Sequence, residues 1–311
     1  MDLSASTINQ DALHSLQLKI DGISVSLMIP PEDEFNGRVL YCLPGGGMSA
    51  KYFDLGGEHK PSYSFARYCA SRGSLVAAID PVGVAESEGP EDSYALFPDQ
   101  IVDQYLRTVM TLRAGFLAGD LHNDLIKFNP RVEVGVAHSM GAALTMMAQA
   151  AERPFDALLL LGFGTKGLPQ MLDEDEQAVL GDREKIIEHL PDFARKRFAN
   201  IQYPRIPDQH HEPSEATEVL KEAADVLLPL PAVLSMFPGN VAPEAGQVTC
   251  PIFIAVGDRD MTGPPHDLPN EYPQSSDVTL YVIKDCGHHG FVADTREAFF
   301  ARMHSWINQL N

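Results

Sequence analysis

Ser139 stands between an apolar run and an alanine-rich stretch, in residues 134–142, which read VGVAHSMGA. The apolar run is typical of a buried strand, and the alanine-rich stretch is typical of a helix. We therefore predict a tight strand–turn–helix junction with the serine at its apex. Small residues are needed two positions before and after such a serine, because strand and helix nearly touch there; Ala137 and Gly141 meet this need. Backbone N–H groups at the helix N-terminus would favour negative charge developing beside the hydroxyl. The alternative is a serine that only caps the helix.

Two later segments carry groups that could activate this hydroxyl. Residues 251–260, PIFIAVGDRD, predict a strand that ends in a glycine turn with two carboxylates, Asp258 and Asp260. Residues 285–291, DCGHHGF, follow the last apolar run and contain His288 and His289. A hydroxyl is a poor nucleophile near neutral pH, so an imidazole must take its proton, and a carboxylate can hold the ring and stabilise the imidazolium. An aspartate in such a turn can instead bond to its own backbone.

A glycine-rich loop follows an earlier apolar run, in residues 43–49, LPGGGMS. Three successive glycines let the backbone turn and point N–H groups into a cavity. Such a loop could cradle a phosphate, but it lacks the Gly-Lys-Ser/Thr of a P-loop, and no dinucleotide fingerprint is present. The remaining interpretation is a loop that donates hydrogen bonds to a developing oxyanion.

These segments and their order along the chain resemble those of the α/β-hydrolases, whose nucleophile turn usually reads Gly-x-Ser-x-Gly. Ala137 departs from that pattern, so one extra methyl group must fit, and we expect slight strain. The resemblance implies Ser139 as nucleophile, His288 as base and Asp260 as triad acid, since the family's acid commonly lies three residues past the glycine. It also implies oxyanion donors from the glycine loop and from the residue after the nucleophile, namely Gly46 or Gly47 and Met140. Asp80, in the loop after the fourth strand, would have a structural role.

The elements that must position these residues alternate along the chain. Strands are predicted at residues 16–20, 23–29, 38–43, 74–79, 132–136, 157–161, 252–256 and 278–283, with a hairpin at Asp21-Gly22. Helices are predicted at residues 61–72, 100–118, 140–151 and 296–310. The alternation predicts an α/β fold with a mostly parallel central sheet flanked by helices. Together with the resemblance it predicts an α/β-hydrolase core domain at residues 1–165 and 249–311.

Residues 166–248 break the alternation and are interpreted as an inserted helical cap. They are acidic and rich in proline, and they show helical patterns at residues 173–190 and 214–228 but no strand. Apolar residues of this insertion could line a substrate pocket or pack the cap on the core: Met171, Leu227, Leu228, Leu230, Leu234 and Met236. We assign Leu234 and Met236, with Met48 of the glycine loop, to substrate binding. His210, His211 and Glu212 could act as metal ligands, but no ligand partners stand at useful spacing, so we predict an exposed polar loop.

The composition of the chain disfavours some classes of binding partner. The 311 residues include 43 acidic and 23 basic side chains, a formal charge of −20, which disfavours nucleic acids and anionic membrane surfaces. No signal peptide or membrane span is predicted, and the four scattered cysteines suit buried thiols in the cytoplasm. No cofactor and no metal are expected, and a homodimer is left open.

The leading hypothesis is a serine hydrolase that cleaves a neutral, fairly apolar small-molecule carboxylic ester or lactone through an acyl-enzyme. The alternatives are carbon–carbon bond hydrolysis or acyl transfer with the same triad, and a ligand-binding member of the fold that has lost catalysis. All three triad positions are present, which argues against the last. A dehalogenase would carry an aspartate at the position of Ser139 and is excluded.

Overall fold

The computed structural model describes residues 13–123, 125, 127–204 and 214–311. Eight strands lie in this part of the chain: β1 (His14–Ile20), β2 (Ile23–Ile29), β3 (Arg38–Leu43), β4 (Leu75–Ile79), β5 (Val132–His138), β6 (Ala157–Leu161), β7 (Ile252–Gly257) and β8 (Val278–Ile283). Its helices are α1 (Phe65–Ala70), α2 (Pro98–Ala118), α3 (Met140–Glu152), α4 (Glu174–Ala178), α5 (Arg183–Arg197), α6 (Ser214–Ala223), α7 (Pro229–Met236), α8 (Ala242–Ala245) and α9 (Arg296–Ile307).

The strands form one sheet in the order β1-β2-β4-β3-β5-β6-β7-β8. The β1–β2 and β2–β4 pairs are antiparallel, and every other pair is parallel. The predicted hairpin at Asp21-Gly22 is confirmed: both residues have positive φ, which suits the twist of a two-residue turn. The predicted mostly parallel sheet with flanking helices, the α/β-hydrolase fold class, is therefore confirmed.

Helices cover both faces of the sheet, which is why the central strands read as continuous apolar runs. One hydrophobic cluster joins one face of the sheet to α2 and α3, and a second joins the other face to α1, α6 and α9. Strand β6 is an example: the side chains of Leu158 and Leu160 lie in the first cluster, that of Leu159 lies in the second, and all three are buried. The carboxyl ends of β5, β6 and β7 thereby lie side by side.

Between β6 and β7, the described residues form helices α4 to α8 and no strand. The helix predicted at residues 173–190 is wrong as one element: α4 ends at Ala178, Gly181 takes a positive φ, and Asp182 caps α5. The helix predicted at residues 214–228 ends at Ala223, and α7, which the pattern did not predict, begins at Pro229. Leu228 is extended there, because a following proline disfavours the helical conformation.

A third hydrophobic cluster lies within this inserted region, where α5 packs on α7. It also includes Tyr94, from the segment between β4 and α2, so the inserted helices pack on the sheet domain there. The helix predicted at residues 61–72 is shorter than expected, because Ser64 caps α1 after a separate three-ten turn. No helix in the described ranges is long and apolar enough to cross a membrane.

Candidate active site

Ser139 lies at the predicted turn between β5 and α3. Its backbone has φ 52° and ψ −123°, a conformation that residues other than glycine rarely adopt. Its N–H donates to the Leu161 carbonyl at 2.8 Å. Such a conformation costs on the order of 1–3 kcal/mol and persists only where the surroundings impose it. At Gly141 a Cβ atom would overlap the carbonyl oxygens of Leu43 and Pro44, so the close approach allows only glycine. Ala137 is fully buried and pairs in regular register with Leu43, so the sheet accommodates the extra methyl group.

Ser139, His288 and Asp260 form a continuous hydrogen-bonded series. The Ser139 Oγ lies 2.9 Å from His288 Nε2, and His288 Nδ1 lies 3.0 Å from Asp260 Oδ1. The side chain of Asp260 is 1% exposed and that of His288 is 18% exposed. Since a carboxylate only accepts hydrogen bonds, the Nδ1–H donates to Asp260, which leaves Nε2 to accept the hydroxyl proton. The geometry is that of a serine activated by an oriented imidazole.

Asp258, the rival carboxylate, has a different partner set. Its two oxygens accept the backbone N–H groups of Asp285 and Cys286 at 3.1 and 3.2 Å. These hydrogen bonds hold the pKa of Asp258 below its ordinary value and tie the β7 turn to the loop after β8. Asp258 therefore supports the loop that carries His288, while Asp260 contacts the imidazole itself.

His138 is a buried residue of the site to which the sequence pattern gave no role. Its Nε2–H donates to the backbone carbonyl of His288 at 3.0 Å, and its ring stacks on Tyr52 with centroids 4.6 Å apart. Burial, with the neighbouring His288, lowers the pKa of His138 to about 3. The neutral ring of His138 therefore supports the His288 loop without placing a positive charge beside the His288 imidazole. The only sequence signal was its position next to Ser139.

The glycine loop lies over the N-terminal end of α3. A Cβ atom on Gly46 would lie 3.4 Å from the Met140 sulfur, so the structure brings two of the predicted oxyanion residues together. Gly47 has φ 77°, a conformation open to glycine, and the Met48 N–H donates to the Gly45 carbonyl at 3.3 Å, which closes the turn. The loop continues to Ala50, whose N–H donates to Asp80 Oδ1 at 2.6 Å.

Asp80 thus has the structural role expected of it. Its carboxylate is buried, and its main-chain carbonyl accepts the Ser87 hydroxyl at 3.1 Å. Burial raises the pKa of Asp80 to about 6, and the negative charge of Asp225 adds to the rise. The Ala50 N–H and the Ser24 hydroxyl oppose this rise, because both bond to the charged form.

The residues assigned to substrate binding separate into two groups. Met48 is buried in the glycine loop, and Leu227 reaches that loop as well, because a Cβ atom on Gly46 would lie 2.7 Å from its Cδ1. Leu234 and Met236 instead lie in the third hydrophobic cluster, where they fill the space between inserted helices. Packing between the inserted helices therefore accounts for the burial of both residues, and their assignment to substrate binding stays a prediction. His210, His211 and Glu212 lie outside the described residues.

Comparisons with known proteins agree with this geometry. The model of the family described as the alpha/beta hydrolase family matches residues 40–302. Among solved structures, the chain is similar to a monoacylglycerol lipase from Paleococcus ferrophilus, with a TM-score of 0.61 and 13% identity over 96% of this chain and 99% of that one. It is also similar to an epoxide hydrolase from Vigna radiata, with a TM-score of 0.60 and 15% identity over 97% and 99%.

A thioesterase domain from the curacin biosynthetic pathway is a third similar structure, with a TM-score of 0.58 and 16% identity over 96% of this chain and 99% of that one. At these identities the likeness shows the fold and leaves the substrate open. No curated protein gives a significant sequence match to the chain.

Proposed function

Because the chain belongs to the alpha/beta hydrolase family, whose model spans most of its length, we propose that it cleaves a neutral, fairly apolar carboxylic ester or lactone with Ser139. The observation that carries this proposal is the hydrogen-bonded series from Ser139 through His288 to the buried Asp260, with separations of 2.9 and 3.0 Å. A buried carboxylate, an oriented imidazole and a hydroxyl at a strained turn are the parts that acyl transfer to serine requires.

The reaction then proceeds in two halves. Ser139 Oγ attacks the carbonyl carbon as its proton passes to His288 Nε2, and Asp260 stabilises the imidazolium. Collapse of the tetrahedral intermediate breaks the bond to the leaving oxygen, which takes the proton from His288, and an acyl-enzyme remains. Water attacks the acyl carbon, His288 takes the water's proton and returns it to Ser139, and the acid leaves.

We assign the oxyanion donors to the N–H of Met140 and to that of Gly46 or Gly47. The proximity of Gly46 to Met140 at the start of α3 supports this assignment, since the glycine loop and the residue after Ser139 lie in contact there. The helix N-terminus adds its partial positive charge at the same point. Removing one donor of this kind typically costs about 3–4 kcal/mol of transition-state stabilisation.

The preference for a neutral substrate rests on what surrounds the glycine loop. The side chains at Gly46 are apolar, those of Met140 and Leu227. Asp80 and Asp225 place two carboxylates beside the loop, and the formal charge of the chain is −20. An anionic ester would meet unfavourable electrostatic interactions with these carboxylates.

We further propose the domain division stated above, with residues 166–248 as a helical cap on a core of residues 1–165 and 249–311. Leu227, from this segment, contacts the glycine loop, which supports a cap over Ser139. A cap in that place excludes water and strengthens oxyanion stabilisation. We also propose a reducing compartment such as the cytoplasm, the location predicted from the four scattered cysteines of the sequence.

A substrate panel tests the proposal. We expect turnover of p-nitrophenyl esters and of γ- and δ-lactones, with hemisuccinate esters hydrolysed more slowly than neutral esters of the same size. The Ser139→Ala variant should lose at least about 10³-fold in kcat/KM. Mass analysis of the products in the presence of added alcohols distinguishes hydrolysis from acyl transfer, and diones test carbon–carbon cleavage. Turnover of diones with none of esters or lactones would contradict the proposal.

A further inference from the structure

Residues 223–227 of the inserted region run alongside the glycine loop; we refer to them as the 223–227 segment. The Asp225 N–H donates to the Gly47 carbonyl at 2.8 Å, and the Ser49 N–H donates to the Ala223 carbonyl at 2.8 Å. Between these two hydrogen bonds, Met48 and Ala224 form an antiparallel bridge. The contact is therefore a short ladder of backbone hydrogen bonds, which fixes the register of the two segments.

The side chain of Asp225 fastens this segment to the sheet domain. Its Oδ1 accepts the Val226 N–H at 2.7 Å and the Ala85 N–H at 3.3 Å. Ala85 belongs to the loop after β4 and has φ 50°, so its N–H is presented by an unusual backbone turn. The 223–227 segment thus has one anchor on the glycine loop and a second on the loop after β4, and both anchors include Asp225.

The end of the glycine loop is held by Asp80, which accepts the Ala50 N–H at 2.6 Å. The Gly47 carbonyl is held by the main-chain N–H of Asp225. Glycine is the residue with the widest range of backbone conformations, so a run of three glycines does not keep its N–H groups aimed without such contacts. Rotation of the Gly47 peptide would change the direction of the N–H groups on either side of it.

From these contacts we infer that Asp225 is a positioning residue for the oxyanion hole: its carboxylate fastens the 223–227 segment to the loop after β4, so that the main-chain N–H of residue 225 holds the Gly47 carbonyl in place. The inference rests on the proposed function, since it concerns the same glycine loop. Donors aimed in advance at the developing charge stabilise the transition state, and an error of about 1 Å in position can cost about 10²-fold in rate. Substrate binding in the ground state depends far less on that alignment.

The variants Asp225→Ala and Asp225→Asn separate this role from a merely structural one. Asp225→Ala removes the acceptor for Ala85, and we expect kcat to fall about 10- to 100-fold with KM changed less than about 3-fold. Asp225→Asn keeps an acceptor oxygen and should retain most of kcat. The matched control is Asp173→Ala, which removes the cap of α4 in the same inserted region and should leave kcat unchanged.

Two further measurements keep the inference testable if Asp225→Ala folds poorly. Asp225→Glu keeps the charge but displaces the carboxylate by one methylene, so kcat should fall about 10-fold. A trifluoromethyl ketone adds to the serine and places its oxyanion in the hole, so its inhibition constant should rise in proportion to the loss of kcat/KM across the variants.

Folded Asp225→Ala and Asp225→Glu proteins with unchanged kcat and inhibition constant would overturn the inference, as would a change confined to KM. In either case, ester turnover by the wild-type enzyme that depends on Ser139 would leave the proposed function standing. A wild-type protein that neither hydrolyses esters nor binds the ketone would instead contradict the proposed function.

Discussion

Replacing Asp80 with asparagine should make the protein more stable above neutral pH, because the buried carboxylate is costly to ionise. Its pKa is about 6 in the folded protein, against an ordinary value of 3.8, and burial is the main cause. The folded protein therefore binds this proton more tightly than the unfolded chain does. The resulting stabilisation is complete below about pH 3.8 and is lost as the pH rises through about 6.

The difference between the two pKa values corresponds to about 3 kcal/mol in the free energy of unfolding. About 1.4 kcal/mol of this falls between about pH 5 and pH 8, a range in which urea titrations can be run. An asparagine cannot ionise, and its side-chain oxygen can still accept the Ala50 N–H. The stability of Asp80→Asn relative to wild type should thus rise by about 1.4 kcal/mol over that interval.

The assay is urea unfolding at equilibrium, followed by tryptophan fluorescence and circular dichroism at several pH values. Taking the difference between variant and wild type removes the pH dependence of the other groups. Asp258→Asn is the matched control, since the pKa of Asp258 is lowered and this carboxylate is ionised throughout the interval. A stability difference for Asp80→Asn that stayed flat between about pH 5 and pH 8, or that fell, would refute the reasoning.

Two other predictions concern activity. Asp260→Asn should lower kcat at least about 10³-fold because it loses the carboxylate bonded to His288, while Asp258→Asn should retain more than a tenth of kcat. Steady-state kinetics of the two variants measures both effects. A large loss of kcat in Asp258→Asn with a small loss in Asp260→Asn would identify Asp258 as the triad acid. Leu227→Ala should shift the ranking of kcat/KM across acyl-chain lengths toward bulkier esters, whereas Leu234→Ala should lower the melting temperature and leave that ranking unchanged. A ranking that is unchanged in both variants would mean that the acyl group does not bind beside Leu227.

The sheet could be predicted because it depends on local patterns, and the resemblance to a family pointed to the three side chains that the structure brings into contact, Ser139, His288 and Asp260. The apolar runs of strand length predicted the bounds of β3, β6 and β8 as the structure has them. The catalytic assignment depended on the order of serine, aspartate and histidine along the chain. The choice of Asp260 over Asp258 needed the resemblance to a family, since both carboxylates stand in one glycine turn. The structure supports it through separate contacts: Asp260 bonds to His288, and Asp258 bonds to the backbone of the loop after β8.

The inserted region was predicted less well, because its apolar residues serve packing partners that are distant in the sequence. The sequence does not distinguish Leu234 from Leu227, yet Leu234 lies in the third hydrophobic cluster and Leu227 contacts Gly46. Asp225 gave no signal at all, since its contacts to Gly47 and Ala85 join segments more than a hundred residues away. Such pairings follow from the tertiary fold and not from periodicity.

The central claim is that Ser139 is a nucleophile activated by His288, and covalent labelling tests it most directly. A fluorophosphonate probe should add one equivalent to the intact protein, and peptide mapping should place the adduct on Ser139. Ser139→Ala should take up no probe, and His288→Ala should react at least about 10²-fold more slowly although its serine is intact. A folded wild-type protein that resists the probe, or an adduct on another residue that persists in Ser139→Ala, would contradict the account.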